Sequence, residues 1–196
     1  MQSGWESFGI TTGVLIGVGV VAALALAVVV VAVVGGMRRA LRFTPWVLLA
    51  MTTVAILVAT LGFSVGDPDA PAGINLHPFT EIRRGLRSDA SDIVAANVWG
   101  NIAMFFPLGL LLMWLWTSPL IARVIMATIA GAGLSVIIEL TQLSLHRVAD
   151  IDDVILNGAG VLLGALVGLV TVLLWRLGAW LMRLIRRPKH PTAMAG

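Results

Sequence analysis

From Ile10 to Val34 the sequence runs through Val, Ala, Leu, Ile, Thr and Gly without one charged side chain. A helix of this length crosses the hydrocarbon of a bilayer with some tilt. Comparable runs recur at Pro45 to Phe63, Val98 to Trp116, Leu120 to Leu143 and Val154 to about Leu174. Hydrophobic residues make up 59% of the 196-residue chain, too many for a water-soluble domain. The runs therefore predict an all-α fold, an integral membrane helical bundle of about five transmembrane helices. No cysteine is present, which excludes disulfides, thiolate zinc sites and cysteine nucleophiles.

Charge gives the expected orientation. Glu6 precedes the first run and Arg38, Arg39 and Arg42 follow it, the reverse of a signal peptide. With the N-terminus outside and the C-terminus inside, the inner segments also collect Arg123, Arg176, Arg183, Arg186, Arg187 and Lys189. The outer ones hold Arg83, Arg84, Arg87 and Arg147, with Asp67, Asp69, Asp89 and most other carboxylates. This is the positive-inside bias. Tryptophans fall at the expected boundaries, Trp5 and Trp99 outside and Trp46, Trp114, Trp116, Trp175 and Trp180 inside. The net charge of +3 thus reads as attraction to anionic lipid, with no nucleic-acid partner.

The expected organisation follows. Residues 1–63 hold two N-terminal transmembrane helices with a basic inner loop. Residues 64–96 form an extracytoplasmic loop, with a short interfacial helix at Ile82 to Leu86. Residues 97–174 form a three-helix core, and 175–196 a basic cytoplasmic tail in which Trp175 to Arg187 continues as an interfacial helix. Pro45 suits a first helical position, and Pro107 removes a mid-span donor and should kink its helix. Glycines recur every fourth residue at Gly9, Gly13 and Gly17 and again at Gly160, Gly164 and Gly168. Such spacing lets helices approach closely, within one chain or between copies in a homo-oligomer.

Against this apolar background one polar stretch stands out, from Glu139 to Gly160. Ionisable groups in hydrocarbon are costly and mark functional sites by default. On a helix Glu139, Gln142 and His146 share a face, with Glu139 roughly 10 Å deeper than His146 at 1.5 Å per residue. Asn97 and Asn101 begin the third span and Asn157 lies early in the fifth, all at the same outer level. Three helices thus predict one outward-facing polar pocket, with Arg147 and the turn carrying Asp150, Asp152 and Asp153 at its mouth. Plainer roles compete. Asp152 or Asp153 could cap the fifth helix. Arg147 could pair with Asp150 or a lipid phosphate, and the asparagines could be interhelical glue.

The segments Asn75 to Phe79 (NLHPF), Asn97 to Gly109 (NVWGNIAMFFPLG), Glu139 to Gln142 (ELTQ) and Arg147 to Gly160 (RVADIDDVILNGAG) resemble, in order and spacing, the VanZ-like family. The resemblance covers about Asn75 to Gly168. It implies a multi-pass protein of the bacterial plasma membrane and a link to glycopeptide resistance, notably to teicoplanin. It implies no reaction.

Two main functions are expected to compete. In the first, a non-enzymatic cell-envelope factor binds a lipid head group or lipid-linked cell-wall precursor. Its ligand-binding residues are Asn97, Asn101, Glu139, Gln142, Arg147, Asp150, Asp152, Asp153 and Asn157. In the second, an intramembrane hydrolase or transferase acts on envelope glycolipids. Glu139 is then the catalytic general base, and Asp150, Asp152 and Asp153 hold a divalent cation. A proton-coupled carrier using Glu139 as relay is a weaker third, because no internal repeat is visible.

Overall fold

The computed structural model describes residues 12–61, 73–87 and 91–185. Gly9, Trp5, Glu6, Asp67, Asp69, Asp89 and the basic residues after Ile185 lie outside the described residues. The described chain forms α1 (Thr12–Gly35), α2 (Met37–Leu61), β1 (Ile74–Asn75), α3 (Thr80–Gly85), α4 (Asp92–Leu115), α5 (Leu120–Ser144), β2 (Ala149–Asp150) and α6 (Ile151–Ile185). The fold is all-α, a membrane helical bundle. Leu41–Leu61, Val94–Leu115, Leu120–Ser144 and Ile151–Ile185 are each long and apolar enough to cross a membrane. A fifth apolar helix, α1, precedes them.

Two boundaries differ from expectation. First, α2 starts at Met37, so Pro45 lies inside it. The basic stretch Arg38 to Arg42 forms the opening turns instead of a loop, and Gly36 alone separates α1 from α2 at a φ of 84°. That left-handed conformation suits glycine. Second, α6 begins at Ile151 because Asp150 caps it, its Oδ1 accepting the Asp152 N–H at 2.8 Å. The expected cap at Asp152 or Asp153 is thereby corrected. After Trp175 the chain stays helical, as expected, with α6 running unbroken to Ile185. The helix α4 is likewise continuous through Pro107.

The centre of the bundle is the seam between α4 and α6, and glycine makes it possible. A Cβ added at Gly164 would strike the Phe106 carbonyl oxygen, one at Gly160 that of Ile102, and one at Gly109 that of Val161. Backbone meets backbone at Gly160 and Gly164, and the Met113 side chain packs onto Gly168, the next of the row. In lipid no hydrophobic force drives helices together, so this close van der Waals fit holds them. A small core of Ile56, Phe105, Leu108, Leu112, Ala127, Ile138, Val161 and Ala165 surrounds the seam. Large apolar side chains face outward instead. Ile121 is 74% exposed and Ile129 66%, an arrangement that only a hydrocarbon solvent makes favourable.

Candidate functional site

The site forms where α5 ends and α6 begins. After Ser144 the chain closes α5 with a left-handed residue, His146 at φ 58°. The Arg147 N–H then bonds the Gln142 carbonyl at 3.1 Å, and the His146 N–H bonds that of Leu143 at 3.2 Å. This pairing is a Schellman cap. It takes His146 off the α5 face expected to carry it with Glu139 and Gln142, and leaves it exposed.

The cap also aims Arg147 at α2. Its Nη1 donates to the Thr60 carbonyl at 2.7 Å, and Gln142 Nε2 donates to the same oxygen at 3.0 Å. Thr60 lies in the last turn of α2, where carbonyls have no helical partner and favour positive charge. The expected Arg147–Asp150 pair is absent among the described residues.

From Arg147 the chain enters β2, which pairs in parallel with β1, Ile74 opposite Ala149 and Asn75 opposite Asp150. The Asp150 N–H donates to Glu139 Oε2 at 2.8 Å, and Asn75 Nδ2 donates to Asp150 Oδ2 at 3.0 Å. Asp152, fully buried, takes the backbone N–H groups of Phe79, Glu81 at 2.7 Å and Ile82 at 3.3 Å. Its carboxylate caps α3, which has no side-chain cap of its own. Asp153 accepts from Asn101 Nδ2 at 2.7 Å. Asn157 Nδ2 donates to Ser135 Oγ at 2.9 Å, while its Oδ1 is buried with no partner.

A cavity of about 270 Å³ lies between these helices. Asn97 and Asn101 of α4, Glu139 and Gln142 of α5, Arg147 of the turn, and Asp153 and Asn157 of α6 all line it. Thr60 closes one side. Glu139 also borders a smaller, mainly apolar cavity of about 150 Å³, with Asp150 on its rim. Asp150 and Asp152 do not reach the polar cavity, because each is turned onto backbone amides and neighbouring loops.

This divergence also removes the expected cation site. Among the described residues no three His, Cys, Asp or Glu side chains are grouped to hold a metal ion. Asp150, Asp152 and Asp153 face Asn75, the α3 amides and Asn101 respectively. Sequence reasoning missed Thr60, which contributes a backbone oxygen and so carries no side-chain signal. It also missed Ser135, a mid-helix serine that resembles ordinary packing, and Asn75 as a partner of Asp150.

A family model described as VanZ/LLP1 matches residues 28–175. No curated protein and no solved structure matches the chain.

Proposed function

The chain belongs to the VanZ-like family, and from that premise we propose that it is a cell-envelope factor of the bacterial plasma membrane whose polar cavity binds a lipid head group or the head of a lipid-linked envelope precursor. One observation carries the reading. Seven amide, carboxyl and guanidinium side chains from α4, α5, α6 and the turn between the last two line a single cavity in an otherwise apolar bundle. Groups of this kind are costly next to hydrocarbon and are kept where something polar must be held. Amides and carboxylates match sugar hydroxyls, and a guanidinium matches phosphate.

In this proposal the cavity opens toward the outer leaflet, the N-terminus is outside, and Arg38, Arg39, Arg42, Arg123, Arg176 and Arg183 face the cytoplasm. Glycopeptide tolerance of the teicoplanin type follows from altered access to the envelope surface. An enzymatic role has less support, since the aspartates meant to hold its cation diverge.

Purified full-length protein titrated with phospholipids and with lipid-linked cell-wall precursors tests the reading. Saturable binding that Arg147→Ala weakens at least tenfold is expected, from loss of a charge-assisted contact. Failure to retain any lipid or precursor would sink it.

A further inference from the structure

We infer that the inner end of the polar cavity recognises a primary ammonium group, so that the preferred ligand is a zwitterion such as the head of an ethanolamine phospholipid. The inference rests on the head-group reading above and names the chemistry of the head.

It follows from how donors and acceptors around the cavity are already engaged. Two of the donors are already engaged at its edge. Arg147 Nη1 and Gln142 Nε2 both converge on the Thr60 carbonyl. The acceptors are left over. Asn157 turns its NH₂ to Ser135 Oγ and leaves Oδ1 buried, 2% exposed as a residue and without a partner. Buried polar atoms are nearly always paired, so an unpaired carbonyl on a cavity wall calls for a donor from the occupant. The carboxyl groups of Glu139 and Asp153 line the same cavity, and each has more acceptor positions than are taken up by the Asp150 N–H on Glu139 and by Asn97 and Asn101 on Asp153. Oxygens from α5 and α6 therefore need donors, and a primary ammonium has three and no acceptor.

A sugar hydroxyl supplies one donor and brings lone pairs of its own. A quaternary ammonium has no N–H to give. Arg147 on the same wall complements a phosphate a few atoms from the nitrogen. Phosphate plus primary ammonium matches this mixture better than an anionic head does.

The test compares phosphatidylethanolamine with phosphatidylcholine of identical acyl chains, each titrated into full-length protein in detergent micelles. Phosphatidylglycerol and soluble O-phosphoethanolamine are the further arms. The ethanolamine lipid is expected to bind on the order of tenfold more tightly than its trimethylated counterpart, the value of a hydrogen bond to a charged group. Asn157→Leu should abolish that preference, whereas Asn157→Asp, which keeps the acceptor, should preserve it. Both variants are first checked for an unchanged elution profile. Tight binding of O-phosphoethanolamine would keep the ammonium chemistry and assign it to a soluble amine. Equal binding of the two lipids, or preference for phosphatidylglycerol, overturns the ammonium inference but leaves the head-group reading standing. Binding of none overturns the ammonium inference, and the head-group reading falls with it if lipid-linked precursors also fail to bind.

Discussion

The Asp152 carboxylate accepts the Glu81 backbone N–H at 2.7 Å across 71 residues of sequence. With Phe79 and Ile82 also donating to it, one side chain in the first turn of α6 caps the start of α3 and anchors residues 73–87 over the bundle. Replacing it with alanine leaves three part-buried donors without their acceptor. Water can reach these amides in part, so Asp152→Ala is expected to lower stability by about 1–3 kcal/mol in all. Asp152→Asn retains one acceptor oxygen and should cost about half as much. Thermal unfolding in detergent measures the difference. Hydrogen exchange should show the amides of Phe79, Glu81 and Ile82 losing protection before the α4–α6 seam does. Uniform loss would mean that Asp152 supports the bundle as a whole.

That relationship also marks the limit of what could be read in advance. The apolar runs announced the spans, and the row Gly160, Gly164 and Gly168 announced the seam, because both are periodic signals within one helix. Asn101, Glu139 and Asn157 could be set at one depth by counting residues from the ends of their spans. The aspartates could not be sorted. Asp150, Asp152 and Asp153 are adjacent and chemically alike, and they diverge because three different partners surround them. Those partners, α3 amides and Asn75 above all, lie in a segment without strong periodicity. Arg147 was legible as a cation near the site. Its bond to Thr60 was not, since any residue at that place in α2 would offer the same carbonyl.

The seam gives a second prediction. Gly164→Ala places a methyl group against the Phe106 carbonyl, and backbone cannot move aside as a side chain can. Overpacking of this kind costs about 1–3 kcal/mol. It should also widen the cavity, because Asn101 stands on α4 while Asp153 and Asn157 stand on α6. Gly133→Ala, where a Cβ meets nothing within 4 Å, is the matched control and should be neutral or slightly stabilising. Equal unfolding temperatures for the two variants would contradict the backbone-contact account of the seam.

The Asn101–Asp153 hydrogen bond at 2.7 Å is a direct side-chain link between α4 and α6. Polar pairs between membrane helices are worth about 1 kcal/mol, less than intuition suggests, because the separated helices find other partners. A double-mutant cycle of Asn101→Ala with Asp153→Ala should therefore give a coupling of about 1 kcal/mol, small beside the glycine seam. Ligand affinity should fall more than stability does, since both side chains line the cavity. A coupling above about 3 kcal/mol would assign the pair to the scaffold instead.

Glu139 separates fold from function most sharply. Its Oε2 accepts the Asp150 N–H at 2.8 Å, fixing the start of α6, and the same carboxyl group lines the polar cavity. Glu139→Gln removes the carboxylate yet leaves an amide oxygen to take the Asp150 N–H. Its stability should stay within about 1 kcal/mol of the parent, while ligand binding and any glycopeptide phenotype are lost. Glu139→Leu deprives the Asp150 N–H of its acceptor and should lose about 2 kcal/mol as well. Membrane yield, unfolding temperature and glycopeptide susceptibility, measured together on both variants, distinguish the roles. A Glu139→Gln protein that inserts normally and keeps full binding and phenotype would reduce Glu139 to an acceptor for one backbone amide, and the cavity would then hold its ligand without that side chain's charge.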